Sequence, residues 1–176
     1  MSRADELYKA TCRKILEEGF SDEGLNVRPK WEDGTPAHTI KTFGVVNRYN
    51  LAEEFPIMTL RRTYWKSAVD ELLWIWQKKS NRICDLGSHV WDEWAGEDGT
   101  IGKAYGYQMN RPICIYTDPV HKTPESFRSY KNQTEYIIEY LREFPNGRWG
   151  VATLWNPEEL SGMNLVPCCH TSTWNL

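Results

Sequence analysis

The residues best suited to covalent chemistry lie near the end of the sequence, at positions 165–170. Cys168 is followed by a second thiol, Cys169, and by the imidazole of His170. A thiolate is a soft nucleophile, and a neighbouring base or cation readily lowers the pKa of a cysteine. Cys168 is therefore the first candidate for a catalytic nucleophile.

Two other interpretations of this segment compete with a nucleophile. A free cysteine is often an inert residue of the core. A zinc site is disfavoured, because consecutive residues of a strand point to opposite faces and no second ligand pair has metal spacing. The sequence therefore predicts no metal, and a buried thiol remains the alternative.

The composition restricts the partners. With 176 residues, a net charge of −3 and no long run of lysine or arginine, the chain suits one domain and nucleic acid is not an expected partner. Small anions such as a phosphate stay possible. The five cysteines are scattered, no signal peptide is recognised and no apolar stretch suits a membrane span. We expect a soluble protein of the reducing cytoplasm.

Apolar residues recur at helical spacing in three segments. The first pattern ends near Gly19, and the last, at residues 136–144, is closed by the turn residues 145–147. Between residues 64 and 79 the apolar positions cover a wide arc, which is typical of a helix buried in a core. We expect three helices, with the second at the centre.

Strands are predicted where β-branched and aromatic residues concentrate, at residues 39–46, 149–155 and 171–176. Residues 81–108 are expected to be rich in loops, and residues 110–124 to form a surface connection. Because the strands and helices do not alternate regularly, an α+β domain is favoured over a doubly wound sheet.

Several short stretches resemble the thymidylate synthase family, which includes nucleotide hydroxymethylases. They are residues 33–39 (Asp-Gly-Thr-Pro-Ala-His-Thr), 71–74 (Glu-Leu-Leu-Trp), 91–94 (Trp-Asp-Glu-Trp), 102–106 (Gly-Lys-Ala-Tyr-Gly), 155–156 (Trp-Asn) and 165–168 (Leu-Val-Pro-Cys). Each is weak alone, but their order and spacing make coincidence improbable. The family signature joins an arginine to Trp-Asn and then to Pro-Cys, which fits Arg148, Trp155-Asn156 and Pro167-Cys168. By that match Cys168 is the nucleophile.

The resemblance implies a three-layer α+β fold and reductive methylation of dUMP to dTMP, with 5,10-methylenetetrahydrofolate supplying the carbon and the hydride. Carbon 5 of uracil is a poor nucleophile. A thiolate that adds at carbon 6 turns the ring into an enolate that attacks the folate methylene. Hydrogen-bond donors and a general base are then needed nearby.

Four further residues receive roles by the same resemblance. Glu71 would hold water and relay protons at the pyrimidine, and a carboxylate within an apolar helix is costly unless something compensates it. Tyr105 would assist proton removal from carbon 5, and Trp91 and Trp94 would wall the folate site. The alternatives are an exposed helix edge for Glu71 and plain core packing for the three aromatic residues.

Arginines are expected to bind the phosphate of the nucleotide. Arg148 resembles the first of a pair that family members donate across a homodimer interface, with a solvated turn residue as the alternative. The second arginine of that pair is replaced here by Trp149, and Gly34 stands where many members have another arginine. Arg28 is the candidate substitute, against an ordinary surface arginine.

The family continues well beyond the nucleophile, so the resemblance predicts a single domain over residues 1–176 that is incomplete at its C-terminal end. We predict that this length is inactive by itself. Two classes stay open, an enzyme of which an N-terminal portion is present and a non-catalytic chain that pairs with a full-length subunit. The residue that separates uracil from cytosine substrates lies in the absent region, so a pyrimidine nucleotide hydroxymethylase also stays open.

Overall fold

The computed structural model describes residues 2–118 and 120–176, in two units, Met1–Thr63 and Tyr64–Leu176. The first unit begins with helix α1, Arg3–Glu18, and the backbone N–H of Asp5 donates to the hydroxyl of Ser2 over 3.2 Å. The carboxylate of Asp5 in turn accepts the N–H of Ser2 over 3.1 Å. This reciprocal cap fixes the first turn. The helix ends at Gly19, as predicted.

A short ribbon follows α1. Strand β1, Phe20–Ser21, pairs antiparallel with β2, Ile40–Lys41, so the strand predicted at residues 39–46 has only two paired residues. Its later part leaves the extended conformation at Gly44, where φ is +77°. The β-branched composition indicated a strand, but it could not show how short the partner would be.

The second unit begins with helix α2, Trp65–Leu73, which continues as a π-helix over Trp74–Lys78. The helix predicted at residues 64–79 is therefore confirmed. Trp74 and Ile75 are buried, whereas α2 itself contributes no buried residue. The expectation of a helix buried in a core is therefore wrong for α2, because periodicity defines an apolar arc and does not show whether another element covers it.

The remaining helices are α3, Gly106–Met109, and α4, Gln133–Glu143, the second of which confirms the third predicted helix. The core of this unit is largely aromatic, with Tyr130 and Tyr136 in edge contact at 5.1 Å between ring centroids. Its buried apolar residues are Trp74, Ile75, Leu86, Trp91, Ile101, Ala104, Tyr105, Met109, Tyr130, Tyr136, Ile137, Tyr140, Ala152, Leu154 and Met163.

Two antiparallel strand pairs complete the second unit. Strand β3, Ile113–Tyr116, pairs with β4, Phe127–Tyr130, and β5, Val151–Thr153, pairs with β6, Thr171–Thr173. The prediction of a loop at residues 110–124 is thus wrong for β3, whose side chains alternate between half-buried and exposed. Pro119, within that predicted loop, lies outside the described residues.

Helices combined with antiparallel strand pairs agree with the predicted α+β class. None of the described helices has both the length and the apolar character needed to cross a bilayer. The assignment of residues 1–176 to one domain stays a prediction.

Candidate active site

Cys168 lies in a bend that follows buried Pro167 and precedes strand β6. Its thiol belongs to an exposed residue, so it is not the buried core cysteine that was the alternative. The backbone N–H of Cys168 donates a hydrogen bond to the hydroxyl of Tyr105 over 3.2 Å. The backbone of the candidate nucleophile is thereby held while its side chain stays accessible.

The segment before Cys168 is attached to two of the stretches recognised in the sequence. The side-chain amide of Asn164 donates to the backbone oxygens of Trp94, over 2.9 Å, and Thr100, over 3.2 Å. The backbone N–H of Lys103 donates to the oxygen of Gly162 over 2.7 Å. These bonds place residues 102–106 beside the segment that leads to the nucleophile.

Tyr105 is buried and adopts a backbone φ of +42°, which is rare outside glycine. Burial raises the pKa of Tyr105, and nearby negative charge on Cys168 and Glu71 raises this pKa further, whereas the hydrogen bond from the Cys168 backbone opposes them. The phenol is therefore protonated at neutral pH. It can accept the Cys168 N–H while its own proton remains available to a second acceptor.

Glu71 is half-buried on α2, so the structure does not support the exposed helix edge that was its alternative. The indole N–H of Trp91 donates to Oε1 of Glu71 over 2.8 Å, and the ring of Trp91 packs edge-on against Tyr105 at 5.2 Å. Glu71, Trp91, Tyr105 and Cys168 thus form one connected group, called here the Cys168 cluster.

The two tryptophans predicted for the folate site differ in exposure. Trp91 is 6% exposed and also packs against Trp74, with ring centroids 6.2 Å apart. Trp94 ends a short 3₁₀ turn and is 41% exposed. Core packing therefore accounts for much of Trp91, whereas Trp94 presents surface that a ligand could reach.

Arg148 and Arg28 are the two arginines predicted to bind phosphate, and each is described within its own unit. Arg148 is exposed and follows the turn at residues 144–147. The next residue is fixed, because the backbone N–H of Trp149 donates to the hydroxyl of Tyr140 over 3.1 Å and its carbonyl accepts the hydroxyl of Tyr136. Arg28 is exposed in the first unit, between β1 and β2.

Asn156 belongs to the family signature without a predicted role of its own, and no role is predicted for Glu159. In the structure the side-chain amide of Asn156 donates to Oε2 of Glu159 over 2.7 Å. Hydrogen bonds from Gln108 and then from Lys103 lower the pKa of Glu159 from 4.5 to about 2. The available signal was Lys103, a cation inside a recognised stretch without an assigned function.

Comparisons with known proteins give a consistent result. The sequence model of the family described as thymidylate synthase matches residues 6–176. The chain is 42% identical to the thymidylate synthase of Bacillus licheniformis over 178 residues, which is 99% of this chain and 60% of that protein. It is 41% identical to thymidylate synthase 1 of Bacillus subtilis strain 168, with the same coverage of both.

A solved structure agrees with the sequence matches. Thermostable thymidylate synthase A from Bacillus subtilis superimposes with a TM-score of 0.81 at 38% identity, over 99% of this chain and 60% of that one. The chain therefore spans 60% of the length of the relatives it matches.

Proposed function

The chain belongs to the thymidylate synthase family, and from this premise we propose that it takes part in the reductive methylation of dUMP to dTMP. The co-substrate is 5,10-methylenetetrahydrofolate, which leaves as dihydrofolate. The observation that carries the proposal is the 3.2 Å hydrogen bond from the backbone N–H of Cys168 to Tyr105. It holds the backbone of an exposed thiol beside a protonated phenol and a half-buried carboxylate.

The thiolate of Cys168 adds to carbon 6 of the pyrimidine, and carbon 5 of the resulting enolate attacks the folate methylene as the bond from that methylene to one of its two folate nitrogens breaks. The proton on carbon 5 then leaves, the folate is expelled, and its hydride reduces the exocyclic methylene. Expulsion of the thiolate from carbon 6 restores the ring. Each turnover therefore returns Cys168 to its starting state.

Proton movement falls to Tyr105 and Glu71 in this proposal. Because the raised pKa keeps Tyr105 protonated, its hydroxyl acts as a relay that releases one proton to solvent as it takes another from carbon 5. Glu71 is oriented by the indole N–H of Trp91 over 2.8 Å. Its second carboxylate oxygen is left to hold water against the pyrimidine.

The residues proposed to bind the folate and the phosphate are assigned from their exposure and charge. Trp94 offers an accessible ring for the folate, while Trp91 supports the site from the core. Arg148 and Arg28 bind the phosphate, with Arg148 reaching the nucleotide of the second subunit of a homodimer. The five free cysteines suit the reducing cytoplasm.

A trapped covalent complex tests the assignment. Residues 1–176 are joined to the part of the Bacillus licheniformis relative that lies beyond its match, and this hybrid chain is incubated with 5-fluoro-dUMP and methylenetetrahydrofolate. The step after the adduct forms requires loss of a proton from carbon 5. Fluorine at that carbon blocks this step, so the adduct accumulates. Intact mass and peptide mapping are expected to place it on Cys168.

The adjacent thiol provides the matched control. Cys169→Ala is expected to retain the adduct, and Cys168→Ala to lose both adduct and turnover. The unextended 176-residue chain is expected to show no turnover, in line with the non-catalytic alternative at this length. Turnover that survives Cys168→Ala in the hybrid chain overturns the proposal.

A further inference from the structure

The carboxylate of Glu159 collects hydrogen bonds from four side chains in the second unit. Lys103 donates to Oε1 over 3.1 Å, and Oε2 accepts Asn156 over 2.7 Å, Gln108 over 3.0 Å and Arg111 over 3.4 Å. These five residues are called here the Glu159 network. Two of its donors are cations, so the ionised carboxylate is matched by charge as well as by geometry.

A chain of buried amides extends the network to strand β5. Gln108 is 1% exposed and also donates to the carbonyl of Lys103 over 2.8 Å. The backbone carbonyl of Gln108 accepts the side-chain amide of Gln133, which also donates to the backbone carbonyl of Thr153 over 2.8 Å. Buried amides with both ends satisfied hold backbone segments in a fixed relation.

The network joins the two segments that form the nucleophile contact. Lys103 and Gln108 flank Tyr105 in sequence, and Asn156 and Glu159 lie in the turn that leads to Cys168. The hydroxyl of Tyr105 and the N–H of Cys168 meet across these segments. A shift of one of these segments relative to the other would therefore change the length of the hydrogen bond between Tyr105 and Cys168.

We propose that Glu159 is a positioning residue, which sets the Tyr105 hydroxyl against the Cys168 backbone by tying residues 103–111 to the turn at residues 156–162. The proposal deepens the proposed function, since it concerns the same nucleophile. Its test needs no substrate, so it stands or fails separately from the trapped covalent complex.

An amide in place of the carboxylate cannot reproduce the network. Glutamine has one acceptor oxygen and one NH₂ group, and the NH₂ group would face a donor on either side. Lys103 approaches Oε1, whereas Asn156, Gln108 and Arg111 approach Oε2. Glu159→Gln therefore keeps the volume and forces at least one donor-to-donor contact.

The test measures alkylation of Cys168 and Cys169 by iodoacetamide in the same 176-residue chain, with quantification by mass spectrometry. Cys169 is the internal reference, because a global loss of structure changes both rates. Glu159→Gln is expected to shift the Cys168 to Cys169 ratio about twofold to tenfold, as loss of one net hydrogen bond does. Tyr105→Phe, which removes the acceptor itself, is expected to shift the ratio in the same direction and by a similar factor.

The double variant Glu159→Gln, Tyr105→Phe is expected to match Tyr105→Phe alone, because both changes remove one interaction. Glu158→Gln is the matched control, since Glu158 is an exposed neighbour, and it is expected to leave the ratio unchanged. Should Glu159→Gln fail to fold, Lys103→Met removes one exposed ion pair and is expected to give a smaller shift in the same direction. The proposal is overturned if folded Glu159→Gln keeps the wild-type ratio, or if Lys103→Met does so where Glu159→Gln does not fold. It is also overturned if the double variant shifts the ratio by the combined effect of the two single variants.

Discussion

Tyr105 has an unusual backbone conformation, and the residue that follows it, Gly106, packs closely against Ser80. A Cβ on the next residue, Gly106, would lie closer to the carbonyl oxygen of Ser80 than the 3.0 Å that real Cβ atoms keep. The chain therefore passes Ser80 only with glycine at position 106, and Tyr105 enters α3 with a φ of +42°. Such a conformation costs about 1–3 kcal/mol, and it directs the Tyr105 side chain to the backbone of Cys168.

Glu71→Gln in the hybrid chain is expected to lower kcat on the order of a hundredfold or more, with little change in the KM for dUMP. The amide oxygen can still accept the Trp91 indole N–H, so the geometry persists while the proton acceptor is lost. Steady-state kinetics are the measurement. Asp70→Asn is the matched control, because Asp70 accepts the N–H of Gly87 and an amide oxygen can replace it. Equal losses of kcat in the two variants would remove Glu71 from the proposed mechanism.

Substitutions of the two tryptophans are expected to affect different properties, the stability of the fold for Trp91 and the binding of the folate for Trp94. Trp91→Phe leaves a cavity in the core and removes the donor to Glu71, so we expect a loss of about 1–3 kcal/mol in the free energy of unfolding. Trp94→Phe is expected to change this free energy by less than about 0.5 kcal/mol and to raise the KM for the folate in the hybrid chain. Denaturant unfolding and kinetics provide the two measurements. A stability loss at Trp94 as large as that at Trp91 would contradict the assignment of Trp94 to an accessible folate surface.

Among the elements, the helices were predictable and most strand lengths were not. Apolar periodicity and end signals located α1 and α4 and the whole helical segment from α2 to Lys78. The strands contain two to four residues, which is shorter than composition can resolve. Strand β3 was missed because proline and charge at residues 110–124 outweighed the alternation at Ile113 and Ile115.

For the candidate site, the sequence identified the stretches but not the contacts between them. The bond between Tyr105 and Cys168 joins residues 63 positions apart, and no local pattern encodes such a separation. Glu159 was missed for a related reason. An acidic pair after Asn156-Pro157 is typical of a solvated helix start, and only the fold brings Lys103 and Gln108 to one of the two carboxylates.

A side chain at Gly147 is expected to destabilise the turn before Arg148. A Cβ there would lie within 3.0 Å of the hydroxyl of Tyr140, which is buried and holds the N–H of Trp149. Gly147→Ala is therefore expected to lower the free energy of unfolding by about 1–3 kcal/mol in a denaturant titration. Gly162→Ala is the control, since its Cβ would meet the flexible chain of Lys103 at 3.1 Å and we expect a smaller loss. Equal stabilities of the two variants would show that the contact with Tyr140 adds no cost at Gly147.

Across the whole molecule, each unit contains a carboxylate that organises several donors. In the first unit, buried Asp22 accepts Lys41 over 2.7 Å and the backbone N–H of Thr39 over 2.7 Å. In the second unit Glu159 likewise accepts hydrogen bonds from several donors, including Lys103 and Gln108. Hydrogen bonding from Lys41 and Thr39 holds the pKa of Asp22 well below its usual range, as donors do for Glu159. The ionised form is favoured by folding in both units.

This arrangement predicts a loss of stability in acid. A carboxylate whose pKa is depressed by folding stabilises the native state fully above its unfolded pKa and ceases to do so as the pH falls through its folded pKa. For Glu159 that window runs from 4.5 down to about 2. Glu159→Gln is therefore expected to be less stable than the wild type at neutral pH and to lose less further stability within the window. Urea unfolding midpoints measured across this pH range provide the test.

The comparison with Glu158→Gln isolates the cause, because Glu158 is an exposed residue one position away and carries the same formal charge. If net charge alone governed the acid response, the two variants would give the same slope of stability against pH. If the donors gathered by Glu159 govern it, Glu158→Gln keeps the wild-type slope and only Glu159→Gln flattens it. Parallel curves for the wild type and Glu159→Gln would mean that the network does not favour ionisation on folding. Asp22 stays intact in both variants, so any slope that remains in Glu159→Gln includes the contribution of the first unit.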